Sequence, residues 1–191
     1  NKGLAYDSLK NDKKAIACYD KVTEIEPENM DVWFSKAVKC EKLENYKQAI
    51  ECYDKLIKIN PKFENAWYNK GLAYYHLGNY TKTIECYDKV TRLNPKRDNA
   101  WNMKGLGYLN HGNYKESIGC FDTEIKIDPN DAAPWYNKGL AYDSLKNYKK
   151  AISCYDKATT IDPKYLDVWE NKGFAYEELK NYKKAIACYD K

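Results

Sequence analysis

The stretch WYNKGLAYYHLGNYTKTIECYDKVTRLNP, residues 67–95, carries two helical stripes separated by one break. Trp67, Gly71 and Tyr74 recur at i, i+4 and i+7, the spacing of one face of a helix. Gly78-Asn79 interrupts that pattern, and Tyr80, Thr83, Ile84, Tyr87 and Leu93 make a second stripe. Asn94-Pro95 closes it, because a residue before proline is pushed out of helical geometry. The stretch therefore predicts a pair of helices joined by a tight turn.

Outward from this stretch, the pattern repeats. The five Trp lie at 33, 67, 101, 135 and 169, and every step is 34. The same step relates Pro27, Pro61, Pro95, Pro129 and Pro163, and also Gly3, Gly71, Gly105, Gly139 and Gly173, with Ala37 in the remaining place. Asn11, Asn45, Asn79, Asn113, Asn147 and Asn181 form an unbroken column, as do Asp20, Asp54, Asp88, Asp122, Asp156 and Asp190. The 191 residues thus divide into a fragment 1–29, full units 30–63, 64–97, 98–131 and 132–165, and a fragment 166–191. Pro134 is the one proline off its column, in the first turn of a helix, where a missing N–H costs little.

Composition narrows the function. A net charge of +4 is too small to mark a nucleic-acid binder, and no run of 18 apolar residues exists to span a membrane. Nothing reads as a secretory leader. Seven cysteines cannot all pair, and six of them (18, 52, 86, 120, 154 and 188) share one column. Equivalent helices in a stack lie about 8–10 Å apart, whereas a disulfide needs Cα atoms within roughly 7 Å. The column reads as small buried hydrophobes, and seven free thiols point to a reducing, cytoplasmic compartment. Cys40 alone is off the column. No C-x-x-C occurs, His76 and His111 have no ligand-like spacing to any Cys, and neither a phosphate loop nor G-x-S-x-G is present. No metal site, cofactor or catalytic residue is predicted, and the chain does not read as an enzyme.

The residues Trp67-Tyr68-Asn69-Lys70-Gly71-Leu72-Ala73-Tyr74, followed by Tyr87 and Pro95, resemble the tetratricopeptide repeat over the whole chain. That resemblance implies an all-α fold: a right-handed α-solenoid of antiparallel helix pairs. Two departures stand out. The family usually has an apolar residue where this chain has Lys2, Lys36, Lys70, Lys104, Lys138 and Lys172, and a small apolar one where Glu124 stands. The lysine stems can cover aromatic surface while the ammonium reaches water, and the Asp column offers a partner.

Of 28 aromatics, 21 fall in framework columns and read as core. Seven remain: Phe34, Phe63, Tyr68, Tyr75, Tyr136, Tyr165 and Phe174. At about 100° per residue, with Trp67 at zero, Gly71 and Tyr74 face the second helix, while Asn65, Tyr68, Leu72, Tyr75 and His76 fall on another arc. The resemblance implies that this arc lines a concave groove. Its columns also include Phe34, Asn99, Asn102, Leu106, Leu109, Tyr136, Asp143 and Glu170. They hold eight acids (Asp7, Asp31, Glu41, Asp143, Asp167, Glu170, Glu177, Glu178) against Lys42 alone, so the groove carries −7 and the remainder +11. Asn1, Asn69, Asn137 and Asn171 form a ladder at its edge, interrupted by Ser35 and Met103; amides there either clamp a peptide backbone or brace neighbouring units. A carboxylate clamp is disfavoured, since Tyr68, Leu72, Asn99, Met103, Tyr136 and Leu140 stand where Lys and Arg are needed.

The expected function is a non-catalytic scaffold that holds a peptide or partner helix with apolar anchors and Lys or Arg flanks. The alternative is a structural array that self-associates head to tail. A third is the targeting domain of a larger enzyme. RNA binding is disfavoured by the negative groove.

Overall fold

The computed structural model of the chain describes residues 11–97 and 99–191. Expectations that fall on Asn1, Lys2, Gly3 and Asp7 lie outside them. The described residues form eleven helices and no strand. They group into two compact units that divide between Pro95 and Lys96. The first holds α1 (Asp12–Ile25), α2 (Met30–Lys42), α3 (Tyr46–Ile59), α4 (Glu64–His76) and α5 (Tyr80–Leu93). The second holds α6 (Ala100–His111), α7 (Tyr114–Ile127), α8 (Ala132–Ser144), α9 (Tyr148–Ile161), α10 (Leu166–Glu178) and α11 (Tyr182–Tyr189). Within each unit every helix packs on the next, pairing α2 with α3, α4 with α5, α6 with α7, α8 with α9 and α10 with α11.

The Asn column starts the second helix of each pair. Backbone N–H groups of Lys14, Gln48, Lys82, Lys150 and Lys184 donate to the side chains of Asn11, Asn45, Asn79, Asn147 and Asn181. Each such cap satisfies a donor that the helix leaves orphaned. Asn113 departs from this: its Oδ1 lies 2.7 Å from His111 Nδ1. The preceding turn requires a left-handed residue, supplied by Gly78 (φ +71°) and Gly112 (φ +89°) but by Glu44, Lys146 and Lys180 elsewhere. Those three accept a strain that glycine would avoid.

Inside a pair, the glycine column meets the aromatic column. A Cβ built on Gly139 would lie 2.2 Å from the Tyr155 ring, and one on Gly105 would lie 2.5 Å from Phe121. Tyr53, Tyr87, Phe121 and Tyr155 are fully buried there. On the neighbouring turn, Ser117 Oγ donates to the Gly105 carbonyl at 2.8 Å. The cysteines join this core, with Cys40, Cys52, Cys86, Cys120, Cys154 and Cys188 buried. Burial pushes the Cys86 thiol up to about 12 and Cys154 up to about 11, which favours the protonated thiol.

Between pairs, the Lys column has a defined partner on each side. In the first unit Lys36 reaches back to Asp20 at 2.6 Å and Lys70 to Asp54 at 2.5 Å. In the second, Lys138 binds Asp122 at 2.6 Å and Lys172 binds Asp156 at 2.7 Å. The same ammonium groups sit over the Trp of their own helix, 5.1 Å from Trp33, 5.3 Å from Trp67, 5.4 Å from Trp135 and 4.5 Å from Trp169. The indole N–H groups of Trp33, Trp67 and Trp169 in turn donate to the carbonyls of Pro27, Pro61 and Pro163. Burial opposes the charge on Lys138, but the hydrogen bond and charge of Asp122, with smaller contributions from Cys154 and Tyr142, together outweigh it and the pKa is raised. The lysine column is therefore a connector between successive helix pairs.

Glu124, the other departure, is buried with a defined role: its Oε1 accepts the backbone N–H of Asn99 at 3.2 Å, just ahead of α6. A carboxylate at a helix start meets the positive end of the helix dipole. Lys138→Met, which keeps the aliphatic stem and removes the charge, is expected to cost about 1 kcal/mol in urea unfolding, and Lys138→Ala about 2 kcal/mol.

Candidate functional site

Phe34, Tyr68 and Tyr136 of the first helices lie against the buried aromatic column as a second, half-exposed layer. In the first unit Phe34 meets Tyr53 edge-on at 6.3 Å and Phe63 at 5.8 Å. Tyr68 stands perpendicular to Tyr87 at 5.2 Å. In the second, Tyr136 packs on Tyr155 at 6.2 Å and on Tyr165 at 5.0 Å. Phe63 and Tyr165, placed at unit junctions by the sequence alone, thus belong to this layer. The signal was present: the units in which position 63 or 165 is aromatic are also those in which position 34 or 136 is aromatic.

The first unit brings together Phe34, Asn65, Tyr68, Asn69, Leu72, Tyr75 and His76, all half-buried except the exposed Asn65 and His76. A run of rings continues at the ends of its helices. Tyr46 stacks on His76 at 4.8 Å and 11°, Tyr75 stands at 80° to His76 at 6.3 Å, and Tyr80 lies 5.7 Å from Tyr75. Tyr46 and Tyr80 are framework tyrosines whose part in this surface the column reading missed.

In the second unit the Asn ladder is engaged within the protein. Asn137, 8% exposed, donates through Nδ2 to Asn102 Oδ1 at 3.0 Å. Asn171 donates to the Tyr136 hydroxyl at 3.2 Å and to the Asp167 carbonyl at 2.7 Å. The bonds to Asn102 and Tyr136 each join a first helix to the first helix of the preceding pair, the bracing alternative. Leu106 and Leu109 are half-buried beside them, while Glu170 is exposed and Asn99 faces solvent with its backbone N–H on Glu124.

The acids of the arc divide in two. The Tyr155 hydroxyl donates to Asp143 Oδ2 at 2.8 Å. Glu41 is electrostatically paired with the Tyr53 hydroxyl and Glu177 with that of Tyr189. The carboxylate stands at the same offset before its tyrosine in all three pairs. Where the second helix has Phe121 in place of tyrosine, the first has Leu109 in place of the acid. These acids stand against the aromatic column, while Asp31, Asp167, Glu170 and Glu178 are exposed charge.

Among the described residues no group of three or more His, Cys, Asp and Glu is placed to hold a metal ion. No helix among them is long and apolar enough to cross a membrane.

Helix hairpins recurring at one fixed sequence step, with this layer on their first helices, place the chain in the tetratricopeptide repeat family, to which it belongs. Models described as tetratricopeptide repeat match residues 1–29, 64–97, 98–131, 132–165 and 154–187, and one described as TPR repeat matches 42–78. No curated protein matches the chain in sequence. Among solved structures it is similar to MamA 41-end from Desulfovibrio magneticus RS-1 at a TM-score of 0.80 and 24% identity, covering 84% of this chain and 91% of that one. It is also similar to YrrB, described as a TPR protein with an unusual peptide-binding site, at 0.80 and 23%, covering 89% and 88%. A tetratricopeptide repeat protein from Parabacteroides merdae ATCC 43184 matches at 0.69 and 21%, covering 98% and 73%. The shared fold is the α-solenoid of helix hairpins, a scaffold typical of protein–protein interaction.

Burial lifts the Asp143 carboxyl above the usual range against the lowering effect of the Tyr155 hydroxyl, and Glu178 adds to the rise. A carboxyl that binds protons more readily when folded favours the folded state below its ordinary pKa. That contribution is lost as pH rises through the folded value. Asp143→Asn keeps an acceptor for Tyr155 without the charge. It is expected to raise the urea midpoint at pH 7 and to flatten the pH dependence of stability across the carboxylate range.

Proposed function

We propose that this chain is a non-catalytic scaffold that binds a peptide or partner helix along the first-helix face of its repeats. The observation that carries this reading is the half-exposed aromatic layer on framework tyrosines: Phe34 and Tyr68 in one unit, Tyr136 in the other. Rings held against a buried neighbour lose little entropy on binding and offer apolar anchor sites. The exposed carboxylates Asp31, Asp167 and Glu170 favour a ligand with Lys or Arg beside its apolar residues. Asn65 and Asn69 stand at the edge with amides suited to a peptide backbone, while Asn137 and Asn171 are engaged within the protein. The likeness to YrrB supports a peptide ligand, and the family supports a protein partner.

Selection from a random peptide display library tests it. Basic peptides with large apolar residues are expected to be enriched, and Tyr68→Ala with Tyr136→Ala to weaken them at least about tenfold with the melting curve still cooperative. Enrichment of acidic peptides, or unchanged affinity in the double variant, overturns the reading.

A further inference from the structure

We propose that the corner between Tyr75 and His76, extended by Tyr46 and Tyr80, is a subsite for an arginine side chain of the bound peptide. This rests on the peptide-binding reading and names the chemistry of one of its contacts. The four rings come from three helices of the first unit: the start of α3, the end of α4 and the start of α5. Only two belong to the framework. At the place of Tyr75 the other described units have Glu41, Leu109, Asp143 and Glu177, and at the place of His76 they have Lys42, Asn110, Ser144 and Glu178. Packing of the repeat therefore requires neither ring. Tyr75 moreover stands where Glu41 and Asp143 meet the tyrosine of their own second helix, and a ring has replaced that carboxylate.

The geometry suits a flat cation. Tyr75 and His76 stand at 80° with centroids 6.3 Å apart, which sets two π faces at a right angle. Tyr46 stacked at 11° backs one face of His76, while the residue as a whole remains exposed. Aromatic faces carry the negative part of the ring quadrupole and attract cations. The chain uses the same contact in its scaffold, with Lys150 5.3 Å over Tyr142 and Lys172 4.5 Å over Trp169. A guanidinium fits the corner better than an ammonium, because it is planar, stacks on rings and is weakly hydrated. At the place equivalent to His76 in the preceding repeat, the ammonium of Lys42 is held by Asp12 at 2.8 Å.

The test uses the whole chain, with ring and backbone NMR signals followed during titration by Nα-acetyl-arginine N-methylamide. Its neutral isostere, the citrulline derivative, and Nα-acetyl-phenylalanine N-methylamide serve as controls. Arginine is expected to shift the Tyr75 and His76 signals with an apparent affinity at least about fivefold above citrulline. Tyr75→Phe should retain the effect. Tyr75→Leu, which copies Leu109 of a neighbouring unit and so keeps the fold, should abolish it. Equal shifts with citrulline, preference for the phenylalanine derivative, or arginine shifts that survive Tyr75→Leu overturn the assignment. The two readings fail separately. Basic peptides selected without dependence on Tyr75 overturn the corner and leave the scaffold reading standing. Arginine shifts without any selected peptide do the reverse.

Discussion

The close approach of a glycine to an aromatic ring within each helix pair is the constraint on which the rest of the structure depends. With no side chain on Gly105 or Gly139, the first helix settles onto the ring of Phe121 or Tyr155 at a distance no Cβ would permit. That contact fixes the separation of the two helices and the height of the ring. The ring then determines where its hydroxyl emerges, which residue of the first helix can meet it, and what surface remains above for Tyr68 or Tyr136. Unit 30–63 shows the tolerance of the arrangement, since Ala37 occupies the glycine position and is itself fully buried. Overpacking of this kind is absorbed by small shifts of neighbours when the partner is a side chain.

The polar residues serve this apolar design in two separate ways. Lys36, Lys70, Lys138 and Lys172 connect pair to pair, each held between a tryptophan face and an aspartate of the preceding helix. Exposed ion pairs contribute little by themselves. Here the lysine side chains are only 11–15% exposed, and the stem covers aromatic surface as well. Glu41 and Asp143 act within a pair, supporting the tyrosine that packs beneath the first helix. The uncommitted charge on the first-helix face is consequently smaller than its residue count implies.

Fold and site were legible in the sequence to different degrees. The constant step between columns fixes the helix pairs because every column repeats one local environment, so Trp67, Gly71 and Pro95 each stand for several positions. The aromatic layer was legible too, since Phe34, Tyr68 and Tyr136 are the rings that break the columns. The bonds that tie those residues were not. Asn137 to Asn102 joins two different columns in successive repeats, as does Asn171 to Tyr136. A reading made one column at a time registers an amide and leaves open whether it faces a ligand or a neighbour. Paired absences carried part of the answer: Leu109 accompanies Phe121, and Asp143 accompanies Tyr155. The lysine column was opaque for the same reason, because its partners lie in the preceding pair and on its own helix at once.

The lysine connectors bear on how such a chain can grow or shrink over generations. Every aspartate stands at one constant offset from its lysine, and both recur at the repeat length. Recombination that excises one repeat length after Asp20 would set Lys70 against it in place of Lys36, with Trp67 arriving in the same step. Duplication would do likewise. No charge is stranded at the seam in either event, so gene rearrangement can vary the number of repeats without requiring compensating substitutions where the ends rejoin.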